Sequence, residues 1–312
     1  MTTPSVAAQS VAYAGPSWRE RLSSATPFLV LIPSIIASFI YVFVFTGWTI
    51  FISLSKSQMF PSSDWLGPKP YIDLWSNARW IIAYHNLFLY SVVYVIGAMA
   101  IGLTLAILID QRVKAESVWR TIFLYPLAVS FVVTGTVWGW LYSPDTGIQA
   151  LVRAMGWTNF SFALTTSKDT AIYAIIITGI WQSSGFAMAL FLAGLRAVDP
   201  DIIKAAQIDG ASVFRTYRRV ILPSITPIFI SVMVVLLQFA IKTFDLVVAL
   251  TAGGPGLATT FPANYVQDMM FQRGQIAQGA AAAMMILAFL AIVLVPYGLY
   301  LAWRTRREAR SV

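Results

Sequence analysis

Six long runs of apolar residues, at roughly 27 to 54, 84 to 109, 121 to 141, 171 to 194, 224 to 250 and 280 to 302, are separated by polar, turn-rich segments. Crossing a bilayer as a helix takes ~20 mostly apolar residues, so each run is long enough to span. None shows the alternation of a lipid-facing barrel strand, and bare backbone in hydrocarbon would leave donors and acceptors unpaired. The pattern therefore predicts an all-α membrane protein with six transmembrane helices. The first run, preceded by Ser17 to Thr26, is too long for a cleaved leader and lacks a small-residue cleavage pattern, so it is expected to stay in the membrane. The expected organisation is an amino-terminal tail at 1–26, a transmembrane domain at 27–302 and a second tail at 303–312.

One polar segment interrupts this alternation with structure of its own. Asp199 is placed to cap a helix, Pro200 suits its first position because the missing N–H would be unpaired there, and Asp201 complements the positive end of the dipole. Gly210 ends that helix. Ser212 can start a second, whose Val213, Tyr217 and Val220 recur at three- and four-residue spacing. Two short helices bent about a glycine, between apolar spans, make a loop at 199–223 suited to a soluble partner; an ordinary connection would have the same outline.

Composition agrees with the pattern: of 312 residues 58% are hydrophobic and 11% charged, with a mean hydropathy of +0.72. The charges then orient the chain. With the amino terminus inside, the inner segments carry Arg19, Arg21, Arg112, Lys114, Arg120, Arg196, Lys204, Arg215, Arg218, Arg219, Arg304, Arg306, Arg307 and Arg310, fourteen of the 21 basic residues, against six in the opposite loops. Both termini and the 199–223 loop are thus expected in the cytoplasm. The net charge of +8 is spread over four short loops, which argues against a nucleic-acid face. On the other side, Trp65, Tyr71, Trp75 and Trp80 suit an interfacial aromatic layer.

Enzymatic chemistry finds little support. No glycine-rich phosphate loop ends in Gly-Lys-Ser/Thr, the chain has no cysteine, and His85 is its only histidine. No carboxylate pair or Ser/His/Asp set has catalytic spacing, so neither a catalytic centre nor a metal site is expected. Candidate path residues inside the spans are Gln182, Ser183 and Ser184 in the fourth, and Gln238, Lys242 and Asp245 in the fifth, with Trp138 and Trp140 in the third. Amides, hydroxyls and aromatic faces fit a neutral polyhydroxylated solute, and interhelical hydrogen bonding explains the same residues. Buried charges are costly, so Lys242 and Asp245, three apart, are expected to pair on one helical face beside the path.

The segment Lys204-Ala205-Ala206-Gln207-Ile208-Asp209-Gly210, followed after nine residues by Val220-Ile221-Leu222-Pro223, resembles the "EAA" loop of binding-protein-dependent ABC importer permeases. Ala205, Ala206, Gly210, Leu222 and Pro223 are in register; Lys204 replaces the family's Glu and Val220 its Ile. Leu250-Thr251-Ala252-Gly253-Gly254-Pro255 resembles the "T-x-GGP" segment of the carbohydrate permeases of the maltose and glycerol-phosphate type. Stretches such as Phe123 to Pro126, Trp181 to Phe186, Ile241 to Leu246 and Ser53 to Gln58 look most like glucose/mannose-type permeases. The resemblance implies a type I importer architecture in the cell inner membrane, with Lys204, Ala205, Ala206, Asp209, Gly210, Leu222 and Pro223 in the ATPase-coupling loop. It further implies a second, non-identical permease, two ATP-binding subunits that use ATP and Mg, and an extracytoplasmic sugar-binding protein, while this chain binds no cofactor. The alternatives are a secondary transporter or channel, or an ABC permease for an oligosaccharide or glycerol phosphate.

Overall fold

The computed structural model describes residues 30–111 and 113–308, and over these the chain is helical apart from turns and a single antiparallel bridge between Ser55 and Trp65. The expected tail at 1–26 and the last four residues of the expected tail at 303–312 lie outside the described residues, as does Arg112, while 303–308 continue the last helix. Phe51 closes one compact unit and Ile52 opens another. The first described helix, α1 (Val30–Ser53), widens to a π-helical turn at Ile40–Val44. Its Ile36, Phe39, Val42 and Phe43 are more than half exposed, as lipid-facing residues are.

In the larger unit α2 (Lys69–Ser76), α3 (Ala78–Asp110), α4 (Glu116–Ala128) and α5 (Phe131–Leu141) come first. They are followed by α6 (Ile148–Ala154), α7 (Ala171–Arg196), α8 (Pro200–Ile208), α9 (Val213–Ser224) and α10 (Thr226–Ile241). The last are α11 (Phe244–Thr251), α12 (Pro262–Gln267) and α13 (Ile276–Glu308). Among the described residues, four helices are long and apolar enough to cross a membrane singly, and the count reaches six when each of two bent pairs is taken as one span.

The centre of this unit is α7, packed along α3. Lipid tails are as apolar as leucine, so helices associate here by close packing of small residues. Gly102 lets α3 approach so closely that an added Cβ would stand 2.6 Å from the Ala187 Cβ and 2.9 Å from the Ser184 carbonyl oxygen of α7. Gly185 lies on the other flank, where a Cβ would collide with the Phe123 carbonyl of α4. Around this contact Tyr90, Tyr94, Tyr142, Ile175, Met188 and Phe191 are buried.

Two of the expected spans are broken. The run at 121–141 is two helices bent by 98° at Val129 and Ser130. Pro126 contributes no N–H, Val129 is extended, and the Ser130 hydroxyl caps α5 by accepting from the Val133 N–H at 3.3 Å. The run at 224–250 starts with a 67° bend between α9 and α10, and stops again at Lys242 before α11. A broken helix inside a membrane requires partners for the freed backbone groups. For Val129 that partner is Gln182.

The aromatic layer also differs from expectation at one position. Trp65 and Trp75 are exposed, whereas Trp80 is fully buried, edge-on to Tyr265, in a small second core with Leu74, Met269 and Ala282.

Candidate functional site

The 199–223 loop folds as its sequence dictates. The Asp199 carboxylate accepts from the Asp201 N–H at 2.9 Å, Pro200 opens α8, and Asp209 closes it. Gly210 turns the chain with φ +77°, the left-handed region that side-chain-bearing residues resist, and the Ala211 N–H reaches back to the Ala206 carbonyl at 3.0 Å. Ser212 then caps α9 through the Arg215 N–H at 3.4 Å. Lys204 pairs with Asp201 at 2.9 Å, but both side chains are well exposed and the pair contributes little. No residue of α8 is buried. Beyond the polar surface stands an apolar crest: Ile208 is 86%, Val213 65% and Phe214 74% exposed. Isolated exposed hydrophobes are ordinary, but three such residues flanking one turn form a patch that water does not favour.

How this loop is moored could not be read from the spacing of its own residues. The Tyr217 hydroxyl donates to Asp110 Oδ2 at the end of α3 at 2.8 Å, and the Gln111 amide donates back to Tyr217 at 2.9 Å. Arg196, the last residue of α7, forks onto Glu116 of α4 at 2.9 Å and lies 3.7 Å from Asp110. Glu116 also holds Arg120 at 3.5 Å. One polar network therefore joins the loop to the ends of α3, α4 and α7. The only hint in the sequence is that Asp110, Glu116 and Arg196 each stand at the edge of an apolar run.

The residues expected along a translocation path separate into two groups. Gln182 and Ser183 are buried inside the chain. The Gln182 amide donates to the Val129 carbonyl at 2.8 Å, and Ser183 accepts from the Tyr94 hydroxyl at 2.7 Å, so both act as ties between helices. The Gln182 side-chain oxygen is buried without a partner. The second group gathers where α10 passes into α11. Gln238 is half-buried, Lys242 terminates α10 and Asp245 lies in the first turn of α11. The expected pairing of Lys242 with Asp245 is not observed: no ion pair joins them among the described residues, and both are exposed. The reason is the break at Thr243, which puts them on different helices and removes the three-residue register.

Past α11, the chain turns sharply at the Thr251 to Pro255 segment. Ala252 and Gly253 have φ of +48° and +86°, and the Thr259 hydroxyl ties the turn by donating to the Gly254 carbonyl at 2.7 Å. The Asn86 amide of α3 donates to the Ala258 and Thr260 carbonyls at 2.9 Å each. Nearby, Asp268 receives Arg79 at 2.6 Å and Arg273 at 2.7 Å. All of this lies at the end of the bundle away from the 199–223 loop.

Comparison with known proteins places these features in context. A family model described as "Binding-protein-dependent transport system inner membrane component" matches residues 5–307. A probable ABC transporter permease protein of Pyrococcus horikoshii is 36% identical, covering 93% of this chain and all of that protein. The xylose/arabinose import permease protein of Haloferax volcanii is 33% identical over 86% of this chain and 85% of its own length. Among solved structures, a chain of a bacterial ABC transporter involved in the import of the acidic polysaccharide alginate shares the fold, with a TM-score of 0.75 and 21% identity over 93% of this chain and 98% of that one.

Proposed function

Because the chain belongs to the family of inner membrane components of binding-protein-dependent transport systems, a multi-pass membrane subunit and not itself the ATPase, we propose that it forms half of the path of a sugar importer. Its partners in this reading are a second, non-identical permease, two cytoplasmic ATP-binding subunits that use ATP and Mg, and an external sugar-binding protein. The supporting observation is the 199–223 loop. It offers an apolar crest at Ile208, Val213 and Phe214 on a rigid helix-glycine-helix turn, and Tyr217 and Asp110 tie that turn to α3. A push on the crest is thereby carried to the ends of α3, α4 and α7. Closure of the ATPase pair would draw these ends together and open the opposite end, as alternating access requires.

The sugar class is supported by the import permease for xylose and arabinose among the relatives and by the chemistry at the α10–α11 junction. There Gln238 supplies an amide, while Lys242 and Asp245, exposed and unpaired with each other within this chain, are free to meet hydroxyls or the sister subunit. The orientation follows from the basic residues: both termini and the 199–223 loop in the cytoplasm. The test is copurification and transport. Tagged chain, expressed with its neighbours, should bring down an ATPase and a second six-span protein, and the reconstituted complex with its binding protein should take up labelled D-xylose, D-glucose or maltose only with ATP. Uptake driven by an ion gradient without an ATPase would overturn the reading.

A further inference from the structure

At the end of the bundle opposite the 199–223 loop, a crevice of about 280 Å³ opens between the start of α3, α11 and the segment that begins with α12. Its walls include Arg79, Phe244, Asn264, Gln267, Asp268 and Gln272. None of these belongs to the α10–α11 group at Gln238, Lys242 and Asp245, although Phe244 lies between the last two in sequence. The walls are more polar than packing requires. Three amides, those of Asn264, Gln267 and Gln272, make no side-chain hydrogen bond to another described residue, and the Asn264 oxygen is buried without a partner. Buried polar groups in folded proteins are almost always paired, so the buried Asn264 oxygen and the Arg79 Nε–H, likewise buried without a partner, point to something that completes them.

The charge at the site is not that of a single ion pair, because one carboxylate answers two arginines. Asp268, 7% exposed, uses Oδ2 for both Arg79 and Arg273, which leaves Oδ1 uncommitted to either arginine. Lining the crevice itself are one guanidinium and one carboxylate in direct contact, 2.6 Å apart. The lining thus offers a carboxylate oxygen, a guanidinium donor and amides side by side, and an apolar solute would leave them unpaired. A ring bearing several hydroxyls satisfies these groups together: hydroxyls donate to Asp268 and to the amide oxygens, accept from the amide N–H groups and from the Arg79 Nε–H, and the apolar ring face rests on Phe244. The volume falls just below the ~300 to 1,000 Å³ of sites for drug-sized ligands, so it suits one ring instead of a chain of rings.

We propose that this crevice is a receiving site for a single hydroxylated ring, occupied before the solute reaches the α10–α11 junction. It rests on the sugar-importer reading above and adds to it a place on this subunit where solute is first held.

Because the chain has no cysteine, the site can be probed by thiol protection in the full complex with its partner subunits in nanodiscs, without ATP or binding protein. Gln267→Cys is reacted with a charged methanethiosulfonate reagent in the presence of D-xylose, D-glucose, maltose or sn-glycerol 3-phosphate, with Ser63→Cys, exposed and outside the crevice lining, as control. At ten times the dissociation constant, mass action slows labelling of Gln267→Cys roughly tenfold for the matching monosaccharide, with no slowing at Ser63→Cys. Adding Gln272→Leu, at the exposed rim, should weaken that protection. Protection by sn-glycerol 3-phosphate above the sugars, equal slowing at both cysteines, or none with any probe would overturn the proposal. Uptake by the same variants in proteoliposomes separates the two readings. Sugar uptake without protection removes the crevice and leaves the importer, while a complex that transports no sugar removes both.

Discussion

The hydroxyl of Tyr217 donates to the Asp110 carboxylate across 2.8 Å, joining a residue seven positions after Gly210 to the last residue of the long helix α3. It is the most direct tie between the 199–223 loop and a membrane span. Tyr217→Phe removes only the donor. A hydrogen bond to a charged group contributes ~1.5 to 3 kcal/mol when well shielded, and partial exposure of Asp110 places this one at the lower end. The variant should assemble normally yet show ATP hydrolysis that responds less to the loaded binding protein. Undiminished stimulation in a purified Tyr217→Phe complex would mean that the tie carries no motion.

Gly210→Val should insert and assemble its spans but lose coupled transport. Open space surrounds this glycine, since an added Cβ meets nothing within 4 Å, so the penalty is purely conformational. Holding a β-branched residue at φ +77° costs ~1 to 3 kcal/mol, enough to reshape the turn. Gly210→Asn, which tolerates that region better, should retain most of the activity. Equal uptake by the Val and Asn variants at matched membrane levels would refute the backbone argument.

Gly185→Ala should act differently, on folding and not on coupling. The new methyl would strike the Phe123 carbonyl, a backbone group that cannot swing aside, and such overpacking costs ~1 to 3 kcal/mol. The expected result is less monodisperse protein after detergent extraction and a lower melting temperature. An unchanged melting curve would show that α4 can shift away from α7 at no cost.

Lys242 and Asp245 should behave as independent residues. With a helix break between them and no ion pair, the losses in uptake for Lys242→Met and Asp245→Asn are expected to add in the double variant within ~0.3 to 0.5 kcal/mol. A double-mutant cycle on uptake, normalised to membrane level, measures this. Recovery in the double variant would restore the ion pair.

The orientation can be read by single cysteines at Ser167 and Gln207, both exposed and neither capping α8 or α9. An impermeant thiol reagent should reach Ser167→Cys from outside and Gln207→Cys only from inside. The opposite result would invert the arrangement.

Much of this protein was legible in its residue order because the deciding interactions are short in sequence. An apolar run must be a helix in hydrocarbon wherever it sits, and the caps at Asp199 and Ser212, with the turn at Gly210, involve groups two to five residues apart. What escaped that reading depends on groups far apart along the chain. Gln182 and Ser183 look the same in sequence whether they line a path or brace a helix, and it is their positions opposite Val129 and Tyr94 that make them braces. The break of 121–141 needed Gln182, 53 residues downstream of Val129, to accommodate the freed carbonyl, and the break at Thr243 undid a pairing that i,i+3 spacing implied. Tyr217 and Asp110 are 107 residues apart, so no local pattern could join them. In a medium without water, a polar side chain takes whichever partner the packing of the helices brings within reach, and that choice is made by the assembled bundle.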